Sequence, residues 1–164
     1  IATKGDPKSF PLPIPLKKFP KSLDFSFSGL KTATRKQWLS QSKKDSQTKA
    51  NLAASFEHTV VTLLSKRCLQ ALHITGHKQL VIAGGVAANH QLRLSLSALA
   101  SKENFQVFFP RQEFCTDNGA MVAYTGWLRL QKKLTAQEQH SNVRARWPLT
   151  ELEAIKNISK SIKS

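Results

Sequence analysis

Acidic residues are scarce in this chain. Asp and Glu number 10 among 164 residues against 25 Lys and Arg, which leaves a formal charge of +15. Such an excess attracts polyanions, tRNA and acidic membrane surfaces alike. It does not choose between them, and a solvated lysine face has the same composition. Cysteine is scarcer still. Cys68 and Cys115 build no disulfide framework, and no basic-then-apolar signal pattern opens the chain, so reduced thiols in a cytoplasm are expected. Long apolar runs are missing as well. Runs such as Leu80-Val-Ile-Ala83 are far below the roughly 20 residues of a membrane helix, so no transmembrane span is expected. Neither a GxGxxG nor a GKS/T phosphate loop occurs, and no nucleophile–base pair or zinc helix motif is visible.

What is present is globular: 40% hydrophobic and 21% charged residues exclude a wholly disordered chain. The length fits one ordinary domain or a large piece of a bigger one. The first residue is Ile1, and the start reads as the edge of a cut or missing upstream segment. Residues 1–22 hold five of the seven prolines and read as an extended connector, because proline lacks an N–H and biases its predecessor to extended geometry. Asp24-Phe-Ser-Phe-Ser28 alternates polar and aromatic residues, which predicts a short strand, broken by Gly29 before a helix over about 30–41. After a polar turn, a long helix over about 47–74 carries Ala53, Phe56, Val60, Leu63, Leu64 and Leu72 at helical spacing and ends at Gly76. Gln79 to Ala83 and Phe105 to Phe109 read as buried strands. They flank a helix over about 88–102 with Leu92, Leu96 and Leu99 on one face. A helix over about 117–133 follows, with Ala120, Ala123, Tyr124, Trp127 and Leu128 on its inner face. Strand, helix, strand, helix makes a βαβα unit with parallel strands, and the class is α/β. No internal repeat is present.

Two segments carry possible chemistry. In Val81-Ile-Ala-Gly-Gly-Val-Ala-Ala-Asn89 a strand ends in Gly84 and Gly85 just before a helix, an arrangement in which a phosphate can approach the backbone and the helix start. A tight turn with Asn89 as helix cap is the plainer alternative. In Phe114-Cys-Thr-Asp-Asn-Gly-Ala-Met121, Asp117 follows the second strand and should share the rim of Gly84 and Gly85, where ligands of open α/β sheets collect. Its carboxylate suits a metal, an oriented water or a helix cap. Cys115 reads as a small buried residue, with nothing to mark it as a nucleophile. His73 and His77 have the spacing of a helical metal pair, but Gly76 should end the helix between them. His58, His90 and His140 are lone residues. Arg144-Ala-Arg-Trp147 mixes cations with an aromatic, which suits RNA phosphates and base stacking; a Trp147 packed on the core as a C-terminal anchor is the plainer alternative.

Four segments, in order and spacing, resemble one family: Asp24-Phe-Ser-Phe-Ser-Gly-Leu-Lys-Thr32; Ala83-Gly-Gly-Val-Ala-Ala-Asn89 with Leu92-Arg93; Cys115-Thr-Asp-Asn-Gly-Ala-Met121; and Val143-Arg-Ala-Arg-Trp-Pro148. Over about residues 1–152 they are similar to the C-terminal half of TsaD, also called Gcp or YgjD and formerly labelled O-sialoglycoprotein endopeptidase. The bacterial form is the nearer one. The resemblance implies part of an actin-like ATPase (ASKHA) fold, with 1–22 as connector, 23–150 as C-terminal lobe and 151–164 as an added tail. It implies transfer of threonylcarbamoyl from threonylcarbamoyl-AMP to N6 of adenosine 37 in tRNAs that read codons beginning with A. The implied catalysis is metal-assisted, with the anhydride carbonyl polarised while the adenosine amine attacks.

The same resemblance makes Asp117 a metal ligand, for iron, zinc or magnesium. Asn89 becomes a contact of the adenylate or nucleotide, and Gly84 and Gly85 the pair beside the phosphates of ATP, ADP or threonylcarbamoyl-AMP. No catalytic side chain is assigned. The expected partners are tRNA, the missing N-terminal lobe, TsaB and TsaE, with no membrane and a cytoplasmic location. The family's His-x-x-x-His metal pair and Ser-Gly-Gly-His segment are not in this chain, and His73 and His77 do not replace them. The chain is therefore expected to be about half an enzyme and inactive alone. Two other readings are a half of another actin-like nucleotide-binding kinase and a basic RNA-binding or assembly module without catalysis. The peptidase label finds no support in the sequence.

Overall fold

The computed structural model describes residues 1–16, 18 and 22–132. Contacts divide the chain into a unit of residues 1–121 and a second of residues 122–164. The first unit is built on one long helix. α2, Ser46–Thr75, opens where the Asp45 carboxylate accepts the Thr48 N–H at 2.8 Å. It closes where Gly76 adopts φ +70° and returns its N–H to the Leu72 carbonyl. Both ends are set by local chemistry: a carboxylate satisfies an orphan N–H, and a glycine takes the left-handed turn without a Cβ penalty.

The N-terminal segment lies along α2. A short helical turn, Ala2–Lys4, leads to Gly5, where a Cβ would overlap the Ala50 carbonyl. The Asp6 N–H donates to Asn51 Oδ1 at 2.9 Å, and the Phe10 N–H to Ser55 Oγ at 3.2 Å. Farther along α2, Arg67 Nη2 donates to the Leu16 carbonyl. The expected connector is thus fastened to the helix it precedes.

α1, Ser28–Ser40, takes in Gly29, which starts the helix rather than breaking it. The strand expected at residues 24–28 is absent. The described sheet contains β1, Gln79–Val81, and β2, Gln106–Phe108, and neither pairs with residues 24–28. Alternation makes a strand only where a partner supplies the ladder. Here the extended stretch sets Phe25 and Phe27 side by side, rings nearly parallel with centroids 6.5 Å apart.

β1 and β2 pair in parallel with Leu80 opposite Val107. α3, His90–Glu103, connects them and ends at Asn104 in the left-handed region. Leu92 and Leu96 are buried with Val61 of α2, and Leu80, Ile82, Val107 and Phe109 pack on this cluster. Leu72, Ala100 and Phe105 form a second cluster. The strands are shorter than expected and only half covered: Val81 and Phe108, on the face opposite Leu80 and Val107, are 71% and 47% exposed. The apolar stripe assigned to α2 also splits. Leu63 and Leu72 are buried, whereas Phe56, Val60 and Leu64 join Phe25, Phe27 and Val81 around an apolar groove of about 470 Å³.

α4, Gly119–Gln131, begins in the first unit and runs into the second. None of its residues is buried, so the inner face expected of it is not formed among the described residues. Within the second unit, the Tyr124 and Trp127 rings stack with centroids 5.7 Å apart. The class is α/β, a small parallel sheet with flanking helices.

Candidate active site

Parallel strands deliver their following loops to the same end of a sheet. The loop after β1 holds Gly84 and Gly85. Gly84 has φ +81° and ψ −179°, a region side-chain-bearing residues rarely enter. Gly85 begins a short helical turn, Gly85–Ala88, whose Ala87 N–H returns to the Gly84 carbonyl at 2.9 Å. A Cβ at Gly85 would meet nothing within 4 Å, so packing does not require glycine there. Missing side chains leave this turn open to approach from outside.

Asn89 stands at the start of α3. Its Oδ1 accepts the Leu92 N–H at 2.8 Å, and its Nδ2 donates to Glu57 Oε1 on α2, also at 2.8 Å. The capping alternative is therefore realised. The amide keeps one N–H and part of the oxygen's acceptor capacity for a ligand. A cavity of about 200 Å³ lies here between Val86, Asn89 and the α2 residues Phe56, Glu57 and Val60.

The loop after β2 runs through a helical turn at Gln112–Phe114 to buried Cys115 and exposed Asp117. Asp117 does not cap α4. Asn118 does, its Oδ1 accepting the Met121 N–H at 2.9 Å. An exposed carboxylate at this end of the sheet is a hard oxygen donor of the kind divalent cations take. Among the described residues no group of three or more His, Cys, Asp or Glu side chains could hold a metal ion.

The two loops meet through Arg93, one turn into α3. Its Nε donates to the Ala87 carbonyl at 2.6 Å, and its Nη2 to the Pro110 carbonyl at 2.7 Å and to Cys115 Sγ at 3.4 Å. The guanidinium also lies over the Phe109 ring, 5.0 Å from its centroid. The structure thus links the turn of Gly84, Gly85 and Asn89 to the segment that leads into Asp117.

A sequence model described as tRNA N6-adenosine threonylcarbamoyltransferase, TsaD, matches residues 1–124. The chain belongs to the TsaD family. It is also 49% identical over 158 residues to the tRNA N6-adenosine threonylcarbamoyltransferase of Herminiimonas arsenicoxydans, covering 94% of this chain and 46% of that protein. The chain therefore spans about half the length of the curated relative it matches.

Two residues of this TsaD chain escaped the sequence reading. Arg93 belongs to the second family segment, but its acceptors come from residues 87, 110 and 115, and no local spacing announces that. Glu57 lies 32 positions before the amide it accepts from. His73 is in α2 and His77 follows the Gly76 cap, so the helix does end between them. Arg144, Arg146, Trp147 and the 151–164 tail lie outside the described residues. No described helix is long and apolar enough to cross a membrane.

Proposed function

We propose that this chain is the C-terminal lobe of an actin-like threonylcarbamoyl transferase that modifies N6 of adenosine in tRNA. The observation that carries the reading is the Arg93-joined pair of loops at the carboxyl ends of β1 and β2, in a chain of this family. Gly84 and Gly85 border the phosphate of threonylcarbamoyl-AMP, or of ATP or ADP, where the bare turn admits it. The Asn89 amide holds the nucleotide through the N–H that Glu57 leaves free. Asp117 supplies one ligand to a divalent ion, iron by family resemblance with zinc and magnesium as alternatives, and the other ligands come from outside the described residues. Such an ion supplies a Lewis acid for the acyl carbonyl.

Lys31, Arg35 and Lys36 of α1, with Lys43, Lys44 and Lys49 beyond, are exposed. Between described residues, ion pairs join Lys102 to Glu103 and Arg111 to Glu113. This basic stretch suits tRNA phosphates. The N-terminal lobe, TsaB and TsaE complete the proposed assembly, in a cytoplasm.

The deciding experiment supplies threonylcarbamoyl-AMP and tRNA to the chain alone and to the chain joined to the segment it lacks relative to its curated relative. Transfer by the joined protein and none by the chain alone supports the reading. Transfer by the isolated chain would overturn its assignment as one lobe. Binding of tRNA that falls with salt, with no transfer by either form, would favour a non-catalytic RNA-binding module.

A further inference from the structure

We infer that Arg93 is a positioning residue: it fixes the spacing between the turn of Gly84, Gly85 and Asn89 and the loop of Asp117. The inference rests on the active-site reading above for its catalytic consequence, and on geometry alone for the clamp. Arg93 shares a helix turn with Asn89, since the Arg93 N–H donates to the Asn89 carbonyl at 3.2 Å. The residue that caps α3 and the residue that reaches across to the second loop therefore move as one piece.

The guanidinium fork matches what the site demands. Nε and Nη2 point to acceptors on different loops, Ala87 on the first and Pro110 and Cys115 on the second. Cys115 Sγ in turn donates to the Arg111 carbonyl at 3.5 Å, which folds the second loop onto the same point. Ala87 and Cys115 are 0% and 2% exposed, so these anchor residues have little room to shift. Lysine carries the same charge on a single nitrogen and cannot span acceptors that arginine reaches with two. The acceptors are two carbonyls and a thiol, with a ring face beneath, and no carboxylate is among them. The positive charge is therefore not neutralised by a carboxylate within these contacts.

Misplacement of reacting groups by about 1 Å can cost on the order of a hundredfold in rate, and loss of a group that orients a ligand costs about tenfold to a hundredfold. The test uses Arg93→Lys in the complete, joined polypeptide with two readouts. Hydrogen exchange should show residues 84–89 and 111–118 losing protection together. Transfer per folded enzyme should lose about tenfold or more in kcat, with KM for tRNA changed less than about twofold. A purely stabilising arginine would lower the melting temperature and leave kcat per folded molecule intact; that result overturns the proposal. Loosening of one loop without the other also overturns it.

If the wild-type joined protein shows no transfer, the functional reading fails and the exchange pattern still decides the clamp. If Arg93→Lys does not fold, Cys115→Ala decides. It removes one acceptor on the Asp117 side, and the expected result is lost protection confined to 111–118 with a smaller fall in kcat. No change in either measurement would overturn the clamp.

Discussion

The loops that follow β1 and β2 leave neighbouring strands at the same end of the sheet but are held by different means. The first is wired inward: Ala87 is buried, Gly84 holds a backbone conformation closed to side chains, and Asn89 is bonded to both α2 and α3. The second is held by Arg93 at the Pro110 carbonyl and at buried Cys115, and leaves Asp117 exposed two residues later. A frame that must not move is built with buried backbone and capped ends. On the proposed reading, a donor that reaches a metal ion is left in solvent on a short tether. The contrast assigns different costs to substitutions in the two loops.

The widest separation should come from Asp117→Ala. In the joined protein it should abolish metal retention and lower transfer by about a hundredfold or more, while stability stays within about 0.5 kcal/mol because an exposed side chain contributes little to packing. Metal analysis, denaturant unfolding and the transfer assay on one preparation check it. Full activity in this variant would break the comparison at its functional end.

Gly84→Ala should act in the opposite sense. A side chain forced into φ +81° and ψ −179° costs about 1–3 kcal/mol, with the turn distorted whether or not ligand is present. Gly85→Ala, one residue on, meets open space and should be nearly neutral in stability while weakening adenylate binding. Urea midpoints set beside adenylate titrations distinguish the two. Equal destabilisation by both would mean that packing, not access, accounts for the second glycine.

These differences also show how much of the molecule was legible beforehand. The end of α2 and the start of α3 could be read because Gly76 and Asn89 act within four residues of themselves. The parallel pairing followed from alternating strand and helix patterns. The supposed strand at residues 24–28 failed because a strand depends on a partner that its own residues do not specify. The candidate site residues stood out as motifs, but their fastening did not: Glu57 and Arg93 work through partners chosen by the packed fold.

Asn89 tests whether the first loop's rigidity and its proposed ligand contact separate. Asn89→Ala removes the α3 cap and strips Glu57 of its donor, and should cost about 1 kcal/mol or somewhat more. Asn89→Ser can still cap through its hydroxyl but cannot reach Glu57 in the same way. It should recover most of the stability while adenylate affinity stays low. Recovery of both together would show that the amide serves the fold alone.

The smallest effect expected is acid loosening at one helix cap and not the other. Asp45 caps α2 with a carboxylate, and Asn89 caps α3 with an amide that has no charge to lose. The Thr48 backbone N–H, then the Thr48 side chain, hold the Asp45 carboxyl below its ordinary value near 3.8. Asp6 is likewise held down, first by the Lys8 N–H and then by the Ser9 hydroxyl. A carboxyl lowered in the folded state binds protons more weakly there than in the unfolded chain. Its contribution is therefore present above the ordinary value and lost as pH falls through the lowered folded value. Between pH 5 and the acid side of about pH 3, the protection factor of the Thr48 amide should fall relative to that of Leu92. The acceptor of the Leu92 N–H is an amide oxygen that carries no ionisable proton, so acid should leave that bond in place. Asp45→Asn should flatten the Thr48 profile and leave that of Leu92 unchanged. Parallel loss at both amides in the wild type would show that acid opens the whole unit, and the distinction between the two caps would have no energetic content.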